Sequence, residues 1–394
     1  MAAGFIPGSS LRYAVTRSET STLLAAGDPI VVWKPEGFMK ALLLSEYNHL
    51  EVKDLPCPTP NSDELLIQVS ACGVCGSDVH GYDGSTGRRI PPIVMGHEAA
   101  GIVAAVGANV DRFRPGDRVT FDSTIYCGAC DYCQKGQVNL CDQRQVIGVS
   151  CGEYRRAGAF AEFLVVPARI AYPLPANFSF AEAALLEAVS VALHGVAVSE
   201  MKRASTVLVI GAGMIGLLLL QAAREAGASR IFVSDVDPTR LALAATLGAD
   251  VTLQATSAPL VETILRHTGG KGVDVVLEAV GCEETITTAI DSVRKGGTVT
   301  LVGNITPQIT LPLQKVVSRQ IRLQGSCASA GEYPQAIDLI ASGKIKVSSL
   351  ITAVAPLSEA PSWFERLYAR EPNLMKIILD PRLDASAPGG AHKQ

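Results

Sequence analysis

The stretch from Ser205 to Arg240, STVLVIGAGMIGLLLLQAAREAGASRIFVSDVDPTR, decides the fold. It reads as an apolar strand (STVLVI), a glycine turn, a helix (MIGLLLLQAAREAG) and a second apolar strand (RIFVSD). The rhythm then continues with helix PTRLALAATLG, strand VDVVLEAV, helix ETITTAIDSVR and strand GTVTLVG. Repeated βα units of this length predict a parallel sheet covered by helices on both faces, an α/β doubly wound domain.

The turn itself carries chemistry. Gly211, Gly213 and Gly216 stand in G-A-G-M-I-G between strand and helix, with Ile215 beside the third glycine. The first glycine suits a tight turn, the second lets backbone approach a pyrophosphate, and the third lets helix and strand pack closely. The helix N-terminus would receive the phosphates. Asp235 ends the second strand, where a carboxylate can accept hydrogen bonds from both ribose hydroxyls of NAD, and Arg240 follows five residues on, able to soften a preference against NADP. The bland alternatives are a buried turn for the glycines and a helix N-cap for Asp235, although Asp237 just before Pro238 is also placed for that cap.

Upstream, CGACDYCQKGQVNLC holds Cys127, Cys130, Cys133 and Cys141. Cysteine pairs at this spacing bite one metal from tight turns, and four thiolates make a closed tetrahedral zinc site, structural because no position is left open. A disulfide framework belongs to small secreted domains rather than to a chain of 394 residues, and no second ferredoxin-like cysteine run supports an iron–sulfur cluster. Further upstream, CGVCGSDVH and VMGHEAAG bring Cys75, Asp78, His80, His97 and Glu98 into one region. Three protein ligands plus an open position are what a Lewis-acid zinc needs. Asp78 is placed to orient His97 through its free ring nitrogen. Glu187, a carboxylate in the apolar helix ALLEAVSVALHG, must be paired or functional if buried. Cys72 and Cys75 could instead form a redox C-x-x-C, but no thioredoxin-like βαβ unit surrounds them.

With 48% hydrophobic and 18% charged residues the chain supports well-filled cores, and a net charge of −4 without a long basic run argues against nucleic acid or an anionic membrane as partner. No apolar run reads as reaching the ~18 residues of a membrane helix. Thiolate cysteines suggest a reducing, cytoplasmic setting. Residues 1–38 lack a sustained period and read as an irregular extension, an arm or a misassigned start rather than a targeting peptide, since Glu19, Asp28 and Glu36 interrupt it. The SAPGGAHKQ tail reads as disordered.

These motifs, with GHEAAGIVAAVGANV, GDRVT and DPTRLALAATLGAD, line up in order from Met39 to about Pro381 with one family. The chain resembles the zinc-containing medium-chain dehydrogenases, in the polyol branch typified by sorbitol dehydrogenase. The resemblance implies a GroES-like β-rich catalytic domain over 39–187 with the four-cysteine lobe, a Rossmann domain over 188–328, and a segment 329–394 returning to the catalytic domain. It implies catalytic zinc on Cys75, His97 and Glu98, with Glu187 as direct or alternating ligand, a second structural zinc, and NAD. Ser77 and His80 look like a proton relay, through which an alcohol on zinc would lose its proton as hydride passes to the nicotinamide. Tyr82 falls where the family contacts substrate. The implied reaction is oxidation of a secondary alcohol of a polyol or sugar derivative by a homo-oligomer, dimer or tetramer. Ala188 stands where sorbitol dehydrogenases usually have proline, and LQGSCASAGEYP replaces an aromatic and arginine-bearing segment near substrate. Threonine or diol oxidation is therefore the alternative, with a catalytically silent relative disfavoured by the intact metal set.

Overall fold

The computed structural model describes residues 37–256 and 259–385. Most of the N-terminal extension and the SAPGGAHKQ tail lie outside the described residues, as do the expectations about them.

The first half is antiparallel. Strands β1 (Phe38–Glu46) and β2 (His49–Pro56) make a hairpin. They are followed by β3 (Glu64–Gly73), helix α1 (Gly76–Gly81), β4 (Ile93–Val94), β5 (Glu98–Val106) and β6 (Arg118–Phe121). Then come β7 (Thr124–Ile125), α2 (Asp131–Gln134), β8 (Gln145–Val146), β9 (Phe163–Pro167) and β10 (Ala171–Pro173). Strands β10, β6, β5 and β3 lie side by side in that order, and β9 also pairs with β3. Apolar side chains of these strands, among them Leu42, Leu65, Ile67, Val119 and Phe121, fill one core.

After α3 (Phe180–Ala183) and α4 (Leu186–Val198) the chain becomes a βα alternation. Its elements are β11 (Thr206–Ile210), α5 (Met214–Glu225), β12 (Arg230–Asp235), α6 (Pro238–Thr246), β13 (Val251–Gln254), α7 (Leu260–His267), β14 (Val273–Glu278), α8 (Glu283–Ser292), β15 (Val293–Leu301), α9 (Leu313–Ser318) and β16 (Arg322–Gly325). The six strands are all parallel, in the order β13-β12-β11-β14-β15-β16, so the order reverses beside β11, the switch point at whose carboxyl end sheets of this kind bind their ligands. Helix α10 (Tyr333–Ala341) packs on α4. Strand β17 (Ile351–Ala355) and helix α11 (Ala360–Tyr368) follow, and β18 (Lys376–Leu379) pairs with both β17 and β3, extending the antiparallel sheet.

A second buried cluster joins the halves. It takes Ala71 of β3, Ala100 of β5, Ala188 and Val189 of α4, Leu217 and Leu220 of α5, and Ile378 of β18. Each fully buried leucine there stabilises by roughly 1.5–3 kcal/mol. Contrary to the expectation that no apolar run is long enough, the helical stretch Phe180–Val198 could cross a membrane by length and composition; 67% of it is buried within the protein instead. That burial, with Glu187 and His194 among its residues, is what a core helix shows.

Candidate active site

The first metal cluster forms where four elements meet. The Gly73 end of β3 is paired with Glu98 at the start of β5, and β18 lies on the other side of Gly73. Cys75 caps α1 just beyond. Ligand atoms of Cys75, His97 and Glu98 all lie within 4.8 Å of one another, with His97 and Glu98 buried. Gly73 makes room: a Cβ there would sit 2.4 Å from Glu98 Oε2. A thiolate, an imidazole and a carboxylate converging from one side are a donor set that fits zinc with a position to spare.

The supporting shell is charged and buried. Lys376 of β18 donates from Nζ to Glu98 Oε2 at 2.6 Å and to the Val74 carbonyl at 3.0 Å. Asp78, wholly buried in α1, accepts from Arg89 Nε at 3.2 Å and Nη2 at 2.9 Å. His97 Nδ1 lies 3.4 Å from Asp78 Oδ1, an ion-pair distance, but without hydrogen-bond geometry. Burial favours the neutral acid, yet His97 and Arg89 together hold the Asp78 carboxyl below its usual range. Ser77 is exposed and His80 half-buried, one turn apart on α1. The Ser77 Oγ accepts from Arg89 Nη2 at 3.3 Å.

Glu187 lies in the first turn of α4, and burial pushes its carboxyl up to about 7, helped by the negative charges of Glu98 and Asp122. It stands outside the three-donor cluster, and a divalent cation nearby would draw its proton off. Tyr82 is spoken for by packing: its ring lies against Phe364 and Tyr368 of α11 and its hydroxyl donates to the Asn48 carbonyl at 2.6 Å. Cys72 is buried in β3 and burial pushes its thiol well up, which suits a core residue rather than one half of a redox pair.

The four-cysteine lobe is assembled around α2. Its four sulfurs lie within 4.8 Å of one another, and Cys127 and Cys133 Sγ are 3.9 Å apart. A tetrahedron of sulfurs at about 2.3 Å from zinc has edges of about 3.8 Å. Backbone N–H groups of Ala129 and Cys130 donate to the Cys127 sulfur at 3.4 and 3.3 Å, and those of Cys127 and Gln143 to Cys141 at 3.2 and 3.3 Å. The donors at Cys127 hold its thiol down to about 6. Asn139, inside the lobe, donates from Nδ2 to the Cys327 carbonyl at 2.8 Å and stands 3.3 Å from His194 Nε2 of α4. His194 Nδ1 in turn meets Glu332 at 2.7 Å.

The glycine turn follows β11. Gly211 has φ +93°, a Cβ on Gly216 would lie 1.7 Å from the Gly211 carbonyl oxygen, and Gly213, the N-cap of α5, faces open space. Only side-chain-free residues fit the first and third positions, and the second leaves the approach to the helix N-terminus clear. Asp235 Oδ2 accepts from Ala212 N at 2.6 Å and Oδ1 from Asp237 N at 2.8 Å. The α6 cap is Asp237, not Asp235, because Asp237 Oδ1 accepts from the N–H groups of Thr239 and Arg240. Arg240 reaches back to Asp237 at 3.6 Å.

Comparison with known proteins places both halves of the chain in one family. Residues 61–176 match the alcohol dehydrogenase GroES-like domain family and residues 215–342 the zinc-binding dehydrogenase family. Sorbitol dehydrogenase of Bacillus subtilis is 34% identical over 87% of this chain and 97% of its own length. The chain belongs to the zinc-containing medium-chain dehydrogenases, in their polyol branch. Another relative of this zinc dehydrogenase, D-arabitol-phosphate dehydrogenase of Enterococcus avium, is 34% identical over 85% of this chain and 94% of its own. A zinc-binding dehydrogenase from Sinorhizobium meliloti 1021, solved bound to NADP, superposes with a TM-score of 0.81 at 34% identity, covering 88% of this chain and 100% of that one.

Sequence reasoning about this zinc dehydrogenase missed Lys376, Arg89 and Asn139. Lys376 had a signal, a cation in the otherwise apolar strand LMKIILD, where burial demands a partner. Arg89 had none, since its neighbour Arg88 is identical and exposed.

Proposed function

We propose that this chain oxidises a secondary alcohol of a polyol or sugar derivative to the ketone, passing hydride to NAD. The observation that carries the reading is the convergence of the Cys75, His97 and Glu98 ligand atoms within 4.8 Å, with Ser77 two positions after Cys75 on α1. Cys75, His97 and Glu98, with Glu187 in reserve, would hold a zinc that acts as a Lewis acid on the alcohol, and the glycine turn with Ile215, Asp235 and Arg240 would hold the NAD that takes the hydride. Ser77 Oγ accepts the substrate proton and His80 carries it toward solvent. Lys376 offsets the charge of Glu98, so the donor set brings little more than one net thiolate charge, and the site stays electropositive toward an oxygen losing its proton. The relatives named for sorbitol and arabitol phosphate support a polyol substrate.

Asp235 supports NAD over NADP: its half-satisfied carboxylate at the end of β12 would accept from ribose hydroxyls and repel a 2′-phosphate. The four sulfurs of the lobe support a second, structural zinc. All ten cysteines are unpaired, which supports a reducing, cytoplasmic setting. A homo-oligomer, dimer or tetramer, is supported by the open outer edge of β16 and by exposed Leu313 and Val317 of α9. The division into 39–187, 188–328 and 329–394 remains our reading of domain organisation.

The test is NADH formation against a panel of polyols, sugar phosphates, threonine and diols, with NAD and NADP in parallel and a chelator control. Chelator-sensitive turnover of a polyol with NAD is expected. Turnover of threonine or a diol alone would replace the substrate class, and no turnover by zinc-loaded protein would refute the enzyme reading.

A further inference from the structure

Among the described residues, Arg89 is the one buried guanidinium that reaches both the ligand-bearing shell and the candidate relay. Its side chain is 4% exposed. Nε and Nη2 converge on Asp78 Oδ1, Nη2 also points at Ser77 Oγ at 3.3 Å, and Nη1 is fixed by the Arg88 carbonyl at 3.1 Å. The carboxylate it grips is tied in turn to both ends of the metal cluster, through the Cys75 backbone N–H at 3.3 Å and through His97 at 3.4 Å. Helix α1 is shaped to admit it: a Cβ at Gly81 would sit 2.2 Å from Arg89 Cγ. The backbone at Arg89 is held by a bridge to Ser150.

The chemistry follows from donor and acceptor counts. A serine hydroxyl has one proton to give and two lone pairs to receive with, whereas a guanidinium only donates. With Arg89 on one lone pair, the Ser77 proton cannot point toward Arg89. It must point away, and the second lone pair is left for an incoming hydroxyl. Building on the alcohol-oxidation reading above, we propose that Arg89 is a positioning residue that fixes the direction of the Ser77 hydroxyl, so that it receives the substrate proton on one side and releases its own on the other. Asp78 holds the guanidinium in place, which couples the orientation of the relay to the residues that carry the metal ligands.

The test uses the zinc-loaded, full-length protein and its best alcohol substrate. Arg89→Lys keeps a cation beside Asp78 but loses the fork that reaches Ser77 at the same time. It should lower kcat about 10- to 100-fold, with zinc content and KM little changed and a larger solvent deuterium isotope effect on kcat. In a Ser77→Ala background the same substitution should cost less than about twofold, because the group being aimed is gone. Arg89→Met is a harsher companion; if it does not fold, Arg89→Lys carries the test. An Arg89→Lys enzyme with wild-type kcat and isotope effect would overturn the proposal. So would an equal fold-loss with and without Ser77, or a loss explained by departed zinc. If the wild-type protein oxidises no alcohol with either nucleotide, the underlying function fails first, which separates the two outcomes.

Discussion

Lys376 Nζ lies 2.6 Å from Glu98 Oε2, and both side chains are 3% exposed or less. An ion pair so deeply buried has given up its hydration, so removing one partner strands the other. Lys376→Met should destabilise zinc-free protein by about 3–5 kcal/mol. A divalent metal at Glu98 restores a counter-charge, so the penalty should shrink when zinc is present. Urea unfolding of both proteins with and without zinc checks this; an equal penalty in both conditions would mean that Glu98 does not face the metal.

The four-cysteine lobe should hold its own metal. Cys130→Ser should remove about half of the bound zinc, one site of two, measured by elemental analysis. Protease sensitivity should then appear first between Cys127 and Cys141, because the sulfurs, now without their cation, are left with the thiol protons that metal binding displaces. Retention of all the zinc would disprove a tetrathiolate site.

Asp122 gives the protein a pH slope. Burial pushes its carboxyl up to about 6 from an ordinary 3.8, with the Glu332 charge adding to the rise. The folded state therefore holds the Asp122 proton more tightly than the unfolded chain does. That contribution is fully present below pH 4 and is lost as pH rises through about 6. Two units correspond to up to about 3 kcal/mol. The stability of Asp122→Asn relative to wild type should rise by that order between about pH 4 and pH 7. A gap that stays flat in denaturant titrations across this range would contradict the assignment.

Asp235→Ser should raise the ratio of kcat/KM for NADP over NAD by about tenfold or more, roughly 1.4 kcal/mol of discrimination. The serine no longer repels a 2′-phosphate, and Arg240 remains nearby. Parallel steady-state assays with the two nucleotides decide it, and an unchanged ratio would place nucleotide selection elsewhere.

What could be read in the sequence was whatever spacing alone enforces. The glycine turn, the strand and helix around it, and the cysteine lobe each need residues a few positions apart, and their chemistry follows from that local order. Elements at the sheet margins were harder. Strands β13 (VTLQ) and β16 (RLQG) are four residues each, too short for a period to register, and α7, although amphipathic with Leu260 and Ile264 turned inward, is only eight residues long. The charged shell of the site was hidden for a different reason: Glu98 and Lys376 are 278 residues apart and meet only because β18 closes against β3. Arg88 and Arg89 show the limit most plainly, since identical adjacent side chains take opposite fates, and the inward one lies across the bare flank of α1 at Gly81 to meet Asp78.

Asn139 gives the cysteine lobe a significance beyond its own shape. Its amide bonds across to the Cys327 carbonyl, just past the last strand of the parallel sheet, and stands against His194 of α4, the helix whose first turn holds Glu187. On the proposed reading, a metal in the lobe would be a rivet at the seam between the two halves, fastening the part proposed to hold the nucleotide to the part that carries the candidate ligands. Stripping it would be felt as play at that seam, in how reproducibly hydride donor and acceptor are brought face to face, before it was felt as loss of fold.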